Sequence, residues 1–230
     1  MIADTGIVAA AVGALLTPAL GIALSPFPII AVILVLGTPR AKACGTAFTA
    51  GWLVGITALT TVIAVLFSGA DTNDSTSTLM AWLRVAAGVA LIALAAKKWR
   101  GRPAPGEEPE MPGWMASIDS IRPGRAVALG AGLGGLNPKN VAFALAAAGA
   151  TSDAAAHGTD LVIGIAVFVV LASSSVLAAL LAFVLGGSRA AAPLDAVKRF
   201  MVANNHVIMM VVFLVLGAKI LGDGIAGLGR

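Results

Sequence analysis

The sequence predicts an all-α integral membrane protein of six transmembrane helices, arranged as two inverted three-helix repeats whose first and fourth helices are broken. Three observations lead there. The chain has long runs without a charged residue, its Lys and Arg gather in alternate loops, and its two halves place prolines and polar residues at matching positions within apolar stretches.

Of 230 residues, 59% are hydrophobic and 11% charged, against about 25% charged in an ordinary soluble domain. Charge-free runs extend from Thr5 to Pro39, Ala43 to Ala70 and Leu161 to Ser188, each longer than the ~20 apolar residues that cross a bilayer core. The first ten residues, "MIADTGIVAA", have no basic n-region before the apolar stretch, so this segment is expected to be retained rather than cleaved.

Breaking the chain at clusters of charge and turn residues gives spans over 8–37, 46–69, 79–97, 126–149, 161–186 and 200–220. Lys and Arg occur in the first, third and fifth of the connecting loops and are absent from the second and fourth. That alternation is the positive-inside pattern of six spans with odd loops cytoplasmic and both termini outside, against which Lys219 and Arg230 at the outer end run. The location implied is the plasma (inner) membrane, multi-pass. The net charge of +4 reflects this orientation and gives no reason to expect a nucleic-acid partner.

Residues 1–97 form the first three-helix repeat, 98–125 a cytoplasmic linker, and 126–230 the second repeat. "LSPFPIIAVILVLG" (Leu24 to Gly37) aligns without gaps on "LNPKNVAFALAAAG" (Leu136 to Gly149), and the third and sixth spans end alike, pairing Lys97 with Lys219. Three spans per half force opposite orientations, the inverted repeat of many secondary transporters, whose sites lie near the midplane where helices are discontinuous.

Asn137, Pro138, Lys139 and Asn140 fall near the middle of the fourth span, and Ser25, Pro26 and Pro28 take the matching place in the first, with Thr17-Pro18 upstream. In hydrocarbon such groups persist only facing protein or water. Two broken helices at related positions would enclose a polar midplane site. Asn137 and Asn140 suit a substrate hydroxyl, amide or phosphate, and Lys139 an anionic headgroup. A central Lys costs roughly 2.5 to 3.5 kcal/mol on insertion scales and lies too deep to reach an interface with its own stem. Proline in a membrane helix also bends it without any site, and that reading stands beside the functional one for Pro18, Pro26, Pro28 and Pro138.

Here the chain also resembles a known family. "PGWMASIDSIRPGRAVALGAGLGGLNPKNVAFALAAAGA", Pro112 to Ala150, with Trp114-Met115, Ile118-Asp119, Pro123-Gly124 and Asn137-Pro138-Lys139-Asn140, together with the ending "LVLGAKILGDGI", is similar to the GAP family. Those actinobacterial proteins include the sulfolipid- and peptidoglycolipid-addressing proteins of mycobacteria and belong to the LysE exporter superfamily. The resemblance implies six spans and export or surface delivery of lipids or glycolipids in the cell envelope. Superfamily relatives export amino acids or ions and carry Asn-Pro in both halves, where this chain has Ser25-Pro26 in the first.

Other candidates have two readings each. Asn204, Asn205 and His206, about a turn into the sixth span, either carry a proton through a pH-sensitive gate or cap the inner helix end. Arg84, near the outer end of the third span, either snorkels or binds a phosphate. Lys97, Lys98, Arg100 and Arg102 form a juxtamembrane basic cluster that sets topology and meets anionic lipid. Trp114, Met115, Ile118 and Ile121 recur near helical spacing, which suits a short helix in the inner interface.

One cysteine, Cys44, excludes an internal disulfide or CxxC pair, and two histidines make a histidine metal site unexpected. With no catalytic constellation, phosphate-cradling loop or acidic residue inside a span, neither an enzyme nor a cofactor is expected. The leading expectation is an exporter of an amphiphilic, anionic lipid or glycolipid. Two alternatives are a LysE-type exporter of a small polar solute and a non-transporting scaffold for lipid-synthesis or lipid-export proteins. Homo-oligomerisation is open, since small residues such as Gly130, Gly134 and Gly135 permit close helix contact within or between chains.

Overall fold

The computed structural model describes residues 13, 15–68, 74–102, 115, 118, 120–153 and 159–229, without the side chains of 74–77, 80 and 149–153. These residues are helical or in turns, with no strand among them. In chain order the helices are α1 (Leu15–Ala23), α2 (Pro26–Leu36), α3 (Ala41–Ser68), α4 (Asp74–Arg100), α5 (Pro123–Gly135), α6 (Pro138–Asp153), α7 (Thr159–Ala172), α8 (Ser174–Gly186) and α9 (Ala191–Leu228). By length and apolar composition, Ala41–Leu66 and the helical stretch Ser174–Leu228 are long enough to cross a membrane, and the bent pair α1 and α2 adds a third. The outer surface is apolar: Val54, Leu66, Val162 and Leu185 are 65, 70, 65 and 83% exposed, which hydrocarbon tolerates and water penalises.

Helix ends depart from the expected spans where charge continues a helix instead of ending it. The segment around "PLDAVKR", expected as loop, forms the first turns of α9. Pro193 needs no donor in a first turn, and Asp195 pairs with Lys198 and Arg199 along the same face. The expected fifth span is interrupted at Ser173, between α7 and α8, and the chain turns out of α8 through Gly187 at φ 54°. Met115 and Ile118 are buried in the protein at 6 and 1% exposure, within 3₁₀ turns. Trp114, Asp119 and His157 lie outside the described residues.

Two long contacts dominate the packing, α3 on α5 and α4 on α9, while α2 lies against α3, α8 and α9. Both seams are lined by glycine. Gly51 and Gly55 of α3 face the backbone of α5 at Val127 and Ala131, and Gly130 faces Phe48 O and the Trp52 N–H region of α3. Across the other seam Gly217 meets Gly88 O and Gly224 meets Ala81 O. In lipid, where apolar burial between helices gains little, such close approach supplies the attraction.

The seam sorts glycines that look equivalent in sequence. A Cβ added at Gly130 would overlap Phe48 O, whereas one at Gly132 meets nothing within 4 Å. Gly130→Ala should therefore destabilise the protein by about 1–3 kcal/mol and Gly132→Ala should not. Thermal unfolding of the two purified variants in one detergent checks the contrast; equal midpoints would refute it.

Candidate functional site

The two helix breaks fall at aligned residues, Leu24-Ser25 between α1 and α2 and Leu136-Asn137 between α5 and α6. In the first, α1 and α2 are bent by 47°. Pro26 and Pro28 occupy the first turn of α2, where backbone N–H groups have no intrahelical partner to lose. The Ser25 N–H, which an unbroken helix would give to Gly21 O, donates instead to Ile22 O at 3.0 Å. Gly21 O is thereby released inside an apolar protein.

Lys139 takes up that carbonyl. Its Nζ donates to Gly21 O at 3.2 Å and stands 5.4 Å from the centre of the Phe143 ring, one turn further along α6. Phe143 is fully buried, and its ring and Leu216 of α9 press on Gly21 so closely that a Cβ there would lie 2.9 Å from the ring. Gly21 thus brings α1, α6 and α9 together. A cation on an aromatic face with a carbonyl acceptor has two favourable contacts and little water, the setting in which both are strongest.

The second break is closed by its own side chains. Asn137 Oδ1 accepts the Lys139 N–H at 3.1 Å, capping α6, and Pro138 follows at the first helical position. Pro138 has no N–H for Gly134 O. Asn140, fully buried, donates from Nδ2 to Leu133 O at 3.0 Å and Gly134 O at 2.9 Å, satisfying the end of α5. Its Oδ1 is buried with no hydrogen-bond partner among the described residues.

The expected site residues therefore divide. Ser25, Pro26, Pro28, Asn137, Pro138, Lys139 and Asn140 gather at the two breaks. Arg84, half-buried on α4, and Asn204, Asn205 and His206 on α9 belong to the α4–α9 pair. Asn204 donates to Phe200 O at 2.9 Å, and His206 Nδ1 lies 3.4 Å from Lys98 O at the end of α4. Asn205 Oδ1 is buried without a hydrogen-bond partner among the described residues.

Sequence reasoning missed a third discontinuity. Trp52, fully buried on α3, donates its indole N–H at 3.1 Å to Ser173 Oγ at the α7–α8 break. A buried indole needs such an acceptor. The signal was present as Ser173-Ser174-Ser175 in the middle of an apolar run. Among the described residues no three His, Cys, Asp or Glu side chains gather as a metal site.

A family model described as Sap, sulfolipid-1-addressing protein, matches residues 15–226. No curated protein and no solved structure matches the chain.

The division of roles within the motif is testable by stability. Asn140→Ala strands the buried Gly134 carbonyl and the part-buried Leu133 carbonyl and should cost about 1–3 kcal/mol for the buried one alone, and Asn140→Asp, which when ionised has no donor, should be no better. Asn137→Ala removes a cap at about 1 kcal/mol, which Asn137→Ser largely restores. Detergent unfolding midpoints in the order wild type, Asn137→Ser, Asn137→Ala, Asn140→Ala are expected; an Asn140→Ala protein as stable as wild type would contradict the assignment.

Proposed function

The chain belongs to the sulfolipid-1-addressing protein family, and from that premise we propose that it exports or flips an amphiphilic, anionic lipid or glycolipid from the inner leaflet of the plasma membrane toward the cell surface. On this reading the helices form six spans as two inverted repeats: α1–α2, α3 and α4, then α5–α6, α7–α8 and α9. Basic loops lie inside and both termini outside. The aligned breaks at Leu24-Ser25 and Leu136-Asn137 support the repeat.

The observation that carries the proposal is the bond from Lys139 Nζ to Gly21 O, which ties the broken helix of one half to that of the other. It is replaceable. An amide carbonyl carries only a partial negative charge and is a weaker acceptor for an ammonium than an oxyanion, which forms a full ion pair with it. A headgroup phosphate, sulfate or carboxylate reaching the midplane therefore competes for Lys139 and releases Gly21. With that tie open, α1 and α2 are free to change their bend. Departure of the lipid returns the ammonium to Gly21 O. Asn137 and Asn140 stay on the backbone throughout and hold the break in shape. Energy for net export comes from a gradient or a partner ATPase, since the sequence has no nucleotide-binding loop.

Lys139→Met keeps the stem and removes the charge. In a deletion strain carrying this variant, the surface-exposed fraction of one lipid class should fall about tenfold or more, the weight of one charge-assisted hydrogen bond. That class should accumulate within the cell, and Lys139→Arg should restore part of the export. Lipid profiling of surface and cell-retained fractions makes the measurement. Unchanged surface lipids in the deletion strain itself would overturn the lipid reading in favour of solute export. Normal export by Lys139→Met, with loss on altering residues 98–125, would favour a scaffold.

A further inference from the structure

A second chemically distinctive opening lies at the other end of α2. Ala191, Leu194, Asp195 and Lys198 follow the i, i+3, i+4, i+7 spacing of one helix face, and this face of α9 lines a cavity of about 350 Å³ against the last turns of α2 and Phe183 of α8. The volume lies within the roughly 300–1,000 Å³ of small-molecule sites. Its walls change character along α9. Leu194 and, on α2, Ile33 and Leu36 are buried and apolar. At the rim, Asp195 is shared between Lys198 and Arg199, two cations on one carboxylate.

The cavity thus joins an apolar wall to Asp195 and Lys198, with Arg199 beside them on the same carboxylate, at the start of α9, in the segment whose basic residues the positive-inside pattern sets on the cytoplasmic side. A soluble anion has no use for the apolar wall, and an uncharged chain has none for the rim.

We infer that this cavity receives an acyl chain of an anionic lipid from the cytoplasmic leaflet, with the headgroup oxyanion held by Lys198 and Arg199. As a place of entry it rests on the lipid-export reading above. Its position suits that role, because α2 runs from the break beside Gly21 to the cavity wall at Leu36, 11 residues or about 16 Å at helical rise. A lipid seated here stands at one end of the broken helix whose other end is tied by Lys139.

Lipid retention by the purified full chain tests the inference. The protein is equilibrated with vesicles of equal phosphatidylglycerol and phosphatidylcholine, and co-purifying lipid is counted by native mass spectrometry. Wild type should enrich phosphatidylglycerol. The double substitution Lys198→Gln and Arg199→Gln should lower that preference by about fivefold per charge. Asp195→Asn, which leaves both cations to the lipid, should raise it, whereas a merely structural ion pair predicts no gain. Ala191→Trp, filling the cavity from an exposed position, should reduce retention of both lipids. Gly132→Ala, where an added Cβ meets nothing within 4 Å, should leave retention unchanged, and failure of the midplane reading shows separately, as normal export by Lys139→Met. Unaltered phosphatidylglycerol enrichment in the double variant overturns the headgroup assignment. Wild-type surface lipid in cells carrying Ala191→Trp overturns the entry role.

Discussion

The hydrogen bonds by which Lys139 and Asn140 answer carbonyls released at the helix breaks are the constraint on which the rest of this structure depends. A helix interrupted within hydrocarbon exposes acceptors that lipid cannot satisfy. Here the interruption in α5–α6 supplies the donors for both: Asn140 reaches back to Leu133 and Gly134, and Lys139 reaches across to Gly21. The two bonds differ in kind. Asn140 binds its own break and keeps it closed, whereas Lys139 joins two segments far apart in the chain.

That arrangement needs fixed surroundings, which the glycine seams provide. Along α3–α5 and α4–α9 the backbones approach so closely that side chains at Gly51, Gly130 or Gly217 would collide with the facing chain. Three discontinuities, at Leu24-Ser25, Leu136-Asn137 and Ser173, stand beside these continuous seams. Trp52, anchored on Ser173, ties α3 to the third interruption.

Much of this was legible in the sequence. Proline beside Ser or Asn in an apolar run marks where a helix bends or breaks, because its missing N–H leaves a carbonyl without an intrahelical donor. The gapless alignment of Leu24–Gly37 with Leu136–Gly149 therefore placed both breaks at residues where the chain does turn. The interruption at Ser173 was less visible, since serines can bond their own helix and need not end it. The charged "PLDAVKR" segment read as a loop because its charges mark an interface, although pairing along a helix face satisfies them equally well.

By itself the sequence determined an all-helical, lipid-compatible chain, the positions of the proline breaks and the family to which the resemblance pointed. These follow from local chemistry: hydropathy, missing donors and motif spacing. Only the tertiary structure decided which partners the polar groups inside "NPKN" meet. Asn140 turned out to bind backbone and Lys139 to bind Gly21, and Arg84 and the Asn204–His206 cluster were assigned to the α4–α9 pair. The reason is physical: which acceptor a buried donor meets depends on which distant segment packs against it, and neither residue type nor spacing along one helix specifies that partner.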